Sequence, residues 1–416
     1  MQDSIRSRWL TRSSRARLLA AAVLTGGLLV AGSSVSSASS AASAGTAATA
    51  GSSTATGEGM IVNVLDDPHQ FRVAYGIQPL LDSGIDGRGE TVTILAPAPP
   101  ANASAPAATD IRQDLKEFDS VFGLPAARIE VVTSLAGSAS PWRTDGEEPG
   151  DFEILHAVAP AATLRVVLFP SSWSQSAANA TADMLAGLRL AVSHTDVVSI
   201  SWSLGEHYFT KAQVAEMHSI LLGAAAHHVT VIGSSGDGGS FPTPQGWGGQ
   251  VKEVSLPASD PLVLAVGGTN LTANISTGAY IGETAWIGSG GGFSHLYARP
   301  AYQDGVPGIS KTRGVPDVAG DADATISLSG TSASAPLWGG IVALADQYAH
   351  HDLGSVNSAI YRIGRSSSYQ TAFHDVTTGN NGYNATPGWD PVTGWGTPNA
   401  QVLIPLLASF ASPSET

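Results

Sequence analysis

The chain has 416 residues, of which 47 are glycine and only 13% are charged, and it carries a net charge of −14 at pH 7. That balance argues against nucleic-acid or anionic-membrane binding, and the absence of cysteine excludes disulfides, thiol catalysis and cysteine metal sites. Length alone allows two domains, but an α/β chain of this size also closes around a single core, and the many glycines suit a compact sheet with tight turns.

Arg6, Arg8, Arg12, Arg15 and Arg17 precede an apolar stretch at 18–30, and small residues follow. This is the layout of a secretory signal, with cleavage after Ala38 or Ala44; a retained membrane anchor is the alternative. We therefore expect signal and small-residue sequence over 1–44, a flexible Ser/Ala/Gly/Thr linker over 45–59 and one folded domain over 60–411, secreted and extracellular. No membrane association is expected after signal removal, and the domain is expected to be a monomer.

Short apolar runs bounded by turn residues predict buried strands at 91–96, 128–133, 163–169, 197–202, 229–233 and 261–267. Helical patterns fall between them at 110–122, 178–193 and 211–228. Strand and helix alternate, and the strands are apolar throughout. The expected fold is therefore α/β, a doubly wound, mostly parallel sheet with helices on both faces. Functional residues should lie on loops at the carboxyl ends of its strands.

The stretch Ser329-Gly330-Thr331-Ser332-Ala333-Ser334-Ala335-Pro336 leads into an apolar helical run. A glycine, small residues and a proline in the first helical turn describe a tight loop that delivers a hydroxyl to a helix N-terminus. There, unpaired N–H groups favour developing negative charge. The segment resembles the nucleophile segment of the subtilisin-like serine peptidases, including their carboxyl-dependent branch, the sedolisins.

A serine hydroxyl needs a base beside it. None of the eleven histidines stands in the His-Gly-Thr setting of the subtilisins, and His156, His227, His228, His295 and His374 read as structural or exposed. A carboxylate could replace the imidazole. Glu147 and Asp151 are four residues apart, so a helix would place them on one face, and neighbouring carboxylates spread their titrations so that one can act as base. Glu147, Asp151 and the following His156-Ala157-Val158-Ala159-Pro160 resemble the sedolisin segment in which a glutamate is the general base and an aspartate orients it. Asp237, in Ser235-Gly236-Asp237-Gly238-Gly239, resembles the oxyanion-hole aspartate of that family. The resemblance implies a peptidase catalytic domain that forms an acyl-enzyme on Ser332, with Glu147 as base, Asp151 orienting it and protonated Asp237 in the oxyanion hole. An ionised carboxylate has no proton to donate, so the expected working range is acidic, about pH 3 to 5 on reference carboxyl values. Protein or peptide substrates follow, cut internally or from an end.

Near the C-terminus, 373–382 and 387–396 place two aspartates among turns, the oxygen-rich setting that a hard cation prefers; turn capping by Asp375 and Asp390 explains them equally well. These segments resemble the sedolisin calcium loop, which implies one structural Ca2+ held by the Asp375 and Asp390 side chains and the carbonyls of Val376, Thr386 and Gly388. Ser289-Gly290-Gly291-Gly292-Phe293-Ser294 resembles a glycine loop of the same family, lining a cleft or merely turning the chain.

Two departures from the family pattern stand out. Pro149 and Gly150 separate Glu147 from Asp151, so that a helix beginning at Pro149 would leave Glu147 just outside it and let Glu148 compete as the base. The span between the signal and the domain also leaves no room for a folded pro-segment, and none is expected. Together they motivate an alternative, a catalytically weakened peptidase-fold protein that binds peptides. An esterase is disfavoured because no Gly-x-Ser-x-Gly elbow surrounds Ser332.

Overall fold

The computed structural model describes residues 61–62, 67–98, 110–134, 148–170, 177–242, 251–322 and 329–410. The expected signal and linker, and Glu147, lie outside them. Strands β1 (Thr91–Ala98), β2 (Arg128–Ser134), β3 (Thr163–Pro170), β4 (Val197–Ile200), β5 (Thr230–Ser234) and β6 (Val263–Asn274) run parallel in the order β6-β5-β4-β1-β3-β2. On β6, β7 (Tyr280–Ala285) and Ile61–Val62 pair antiparallel, while β8 (Val318–Asp321) pairs parallel. The sheet is thus mostly parallel, as expected.

Successive residues of a strand point to opposite faces, and both faces here are apolar. Val92, Ile94 and Ala96 of β1, with Leu164, Val166 and Leu168 of β3, pack under α1 (Ile111–Phe122), α2 (Glu148–Val158), α5 (Thr331–Ala349) and α6 (Ala400–Phe410). Leu95, Val167, Phe169, Val198 and Ile200 pack under α3 (Ala177–Ala191) and α4 (Lys211–Ala226) on the other side. Local signals set the ends of these helices. Asp110 caps α1 by accepting from Arg112 N at 3.1 Å, and α1 stops at Gly123, whose φ is 68°. A reciprocal Thr210–Gln213 capping box opens α4.

The strand expected at 261–267 continues to Asn274. Gly267 and Gly268, in mid-strand, mark crowding: a Cβ would stand 2.8 Å from the Pro316 ring at the first and 2.7 Å from the Ala322 side chain at the second. Similarly, Gly340 lets α5 approach α2, since a Cβ there would lie 2.5 Å from Val158 Cγ1. This close packing sets the last residue of α2 against the middle of α5, the two helices whose first turns hold Asp151 and Ser332. Arg313 and Asp317, fully buried, form a two-pronged ion pair at 2.7 and 2.6 Å beside β8, a structural role consistent with their position.

Candidate active site

Ser332 is the second residue of α5 and is 7% exposed. Gly330, just before the helix, has φ 91°, a conformation that costs other residues dearly, and a Cβ there would fall 2.3 Å from Asp237 Oδ2. The helix begins at Thr331, so Pro336 lies in its second turn rather than its first. That shift has a chemical consequence. Proline has no N–H, so the carbonyl of Ser332, four residues earlier, loses its helical donor. It accepts instead from Ser201 Oγ at 3.2 Å.

Ser201 follows β4 and joins the expected catalytic groups. Its single hydroxyl proton is shared between the Ser332 carbonyl and Asp151 Oδ1, the latter at 2.8 Å, and the Ser201 carbonyl accepts from Ser332 Oγ at 3.3 Å and from Ser234 Oγ at 2.8 Å. Ser332 and Asp151, the expected nucleophile and the expected orienting aspartate, are therefore linked through one serine at the end of β4. Asp151 is 4% exposed and lies in the first turn of α2, where unpaired N–H groups favour a carboxylate. The helix starts at Glu148, with Pro149 as its second residue, a position where a missing N–H costs no helical bond. Glu147, the residue before it in sequence, lies outside the described residues, so its expected placement on one face with Asp151 stands as an expectation.

Asp237 follows β5. Its Oδ1 accepts from Thr331 N and Thr331 Oγ1, each at 2.8 Å, while Gly236 N donates to Thr331 Oγ1 at 3.1 Å. Both donors fall on Oδ1, and Oδ2 lies beside Gly330. Residue 237 is open to solvent on one side, but protein atoms crowd its carboxyl. This desolvation raises the pKa above the ordinary aspartate value, and the two Thr331 bonds oppose the shift. A carboxyl that carries its proton can donate to an oxyanion, which an ionised one cannot. The glycine loop packs on the same turn: Gly290 N donates to Gly236 O at 2.7 Å.

The C-terminal residues converge as a second group. Asp390, 1% exposed, accepts at Oδ2 from Thr386 N (3.1 Å) and at Oδ1 from Val392 N (2.8 Å) and Thr393 N (3.0 Å). Asp375 accepts from Gly388 N at 3.2 and 3.1 Å. Two carboxylates thus fold the same short loop, 386–388, around themselves, with Val376 buried beneath it. Burial pushes the Asp390 carboxyl up to about 6 in spite of its backbone donors.

Ser201, Ser234 and Thr331 were not singled out by sequence reasoning; only their neighbours were. Trp202 is core, edge-on to Phe169 and Phe209 with ring centroids 6.3 and 6.4 Å away. His156 is fully buried, with Nε2 at 2.8 Å from Pro125 O, a structural position.

A sheet of this topology, with a serine at a helix entrance, one aspartate in the first turn of a neighbouring helix and another on the loop after a parallel strand, defines a class. The Subtilase family profile matches residues 133–396, and the chain belongs to that family. Kumamolisin of Bacillus sp. (strain MN-32) is 32% identical over 372 residues, 80% of this chain and 62% of its own length. Tripeptidyl-peptidase 1 of Homo sapiens is 28% identical over 333 residues, 71% of this chain and 57% of its own. Pseudomonas sedolisin, a serine-carboxyl proteinase solved with two molecules of pseudo-iodotyrostatin, matches with a TM-score of 0.70 and 27% identity over 84% of this chain and 99% of its own. Within the subtilases, the chain's group is the sedolisin family. It spans about three fifths of the length of these curated relatives.

Proposed function

We propose that the chain is a secreted, acid-active serine-carboxyl peptidase. The observation that carries this reading is the network in which Ser201 links Ser332 to Asp151 while Thr331 fastens Asp237 beside the same helix turn. Ser332 Oγ attacks the scissile carbonyl, and Glu147 takes its proton, held by Asp151. Asp237 Oδ2, protonated, donates to the oxyanion together with N–H groups of the helix entrance. Glu147 returns that proton to the leaving amine as the C–N bond breaks, leaving an acyl-enzyme on Ser332; water then attacks the acyl group and gives its proton to Glu147, which passes it to Ser332 Oγ as the acid departs. Protein or peptide substrates are expected. The support for Glu147 is its place one residue ahead of α2 and the family resemblance.

Base assignment is tested with Glu147→Ala and Glu148→Ala variants on a denatured protein substrate at pH 4. Glu147→Ala should lose turnover by at least about a hundredfold, the usual worth of a general base, with Glu148→Ala near wild type. The reverse pattern would transfer the role to Glu148.

One structural calcium is proposed at the C-terminal loop. Its donors are oxygens only, and both carboxylates already gather around 386–388, which fits a hard cation. Asp375 and Asp390 would hold it by side chain, and Val376, Thr386 and Gly388 by carbonyl. When bound, it would cross-link the loop. Exhaustive chelation should lower the melting temperature by ~5–10 °C, the effect of a tightly bound stabilising ion on a domain of this size, and less in Asp390→Asn. An unchanged melting temperature counts against the ion. Among the described residues no helix is long and apolar enough to cross a membrane.

A further inference from the structure

A separate carboxylate cluster stands at the opposite end of the sheet. Glu90 immediately precedes β1, Asp196 immediately precedes β4, and Asp352 lies just after α5, with one carboxylate oxygen of each within 4.8 Å of the other two. These are amino ends of parallel strands, whereas Ser201 and Asp237 follow carboxyl ends, so the cluster has no part in the proposed chemistry. Asp196 Oδ2 accepts from Thr91 N at 2.7 Å. Among the described residues, no Lys, Arg or His forms an ion pair with any of the three.

A fourth carboxylate lies beneath them. Asp346, in the last turns of α5, is 0% exposed; its Oδ1 accepts from Leu353 N at 2.9 Å, and its Oδ2 is buried with no hydrogen-bond partner. Glu90, Asp352 and Asp196 are all close enough to act on it electrostatically. The carboxyl end of a helix adds further negative potential. Four carboxyl groups around one point with no basic partner among the described residues, and a buried acceptor left without a hydrogen bond, suit a cation and its bound water. Three oxygens that all lie within 4.8 Å of one another surround a point close to the ~2.3–2.6 Å of calcium–oxygen bonds, so a small side-chain adjustment brings all three onto one ion. The donor set, oxygens only, suits a hard divalent ion.

We propose that Glu90, Asp196 and Asp352 form a calcium-type divalent-cation site, with Asp346 Oδ2 accepting from a water on the ion. The site ties the starts of β1 and β4 to the end of α5, the helix whose first turn carries Ser332, and Asp352 leaves it open to solvent. It is distinct from the C-terminal loop and does not rest on that loop binding metal.

The test is a count of bound calcium. The full chain, stripped of metal and held at pH 8, is titrated with calcium chloride alone, and bound equivalents are measured by equilibrium dialysis and calorimetry. Asp352→Asn, at an exposed position, should bind one equivalent fewer than wild type, or bind that equivalent at least tenfold more weakly. Glu90→Gln should do the same, and Asp375→Asn, which reports on the C-terminal loop separately, should retain the site. Folding of each variant is checked by circular dichroism. If Asp352→Asn and Glu90→Gln bind as many equivalents as wild type with unchanged affinity, or if wild type binds none that these variants lack, the site does not exist.

Discussion

Ser332→Ala should abolish peptide-bond hydrolysis, with kcat falling by about 10⁵–10⁶-fold, the scale on which an acyl-transfer nucleophile acts. The loss should be that large because no other hydroxyl takes its place. Ser201 Oγ is committed to Asp151 and to the carbonyl of Ser332, and Ser334 Oγ donates to the carbonyls of Gly320 and Asp321. The variant should nevertheless fold. The hydroxyl removed makes one 3.3 Å hydrogen bond, to Ser201 O, and a bond of that kind contributes only about 1 kcal/mol. Steady-state hydrolysis of a denatured protein, alongside thermal melting, checks both parts. A folded variant retaining more than a tenth of wild-type kcat would remove Ser332 from the mechanism and favour the peptide-binding alternative.

The second large effect is expected at Asp237. Deleting one oxyanion donor typically costs about 10²–10³ in kcat, and Asp237→Ala should lose that much at acid pH with little change in KM. The sign of its pH dependence follows from the raised carboxyl pKa. Protonated Asp237 donates at low pH, and the contribution is lost as pH rises through that value. The deficit of Asp237→Ala against wild type should therefore be largest in acid and shrink toward pH 8. A constant deficit at all pH values would mean that Asp237 acts by position alone, through its bonds to Thr331 N and Thr331 Oγ1.

The parallel strands were legible because apolar runs buried on both faces leave a pattern that turn residues punctuate, and β1 to β5 fall where that pattern puts them. Ser332 and Asp237 were legible because each sits in a local string whose glycines are needed at that spot. Ser201 was not. Its role exists because Pro336 strips a helical donor from the carbonyl of Ser332, a consequence visible only once the serine after β4 is known to meet the second residue of α5. The continuation of β6 past Gly267 was not legible for a related reason. A glycine kept for close packing and a glycine kept for a turn look alike in sequence, and here crowding from Pro316 and Ala322 decides the matter. Likewise, the carboxylates at Glu90, Asp196, Asp346 and Asp352 are scattered along the chain, and only the sheet gathers them.

The central claim is that a carboxylate base and a protonated aspartate replace imidazole chemistry in a subtilase. The pH profile of kcat/KM for the wild-type chain, followed from pH 3 to 8 on a denatured protein with the fragments sequenced, tests it most directly. The account predicts a maximum at about pH 3 to 5 and a steady decline above it as Asp237 loses its proton. Undiminished cleavage at pH 8 would contradict it.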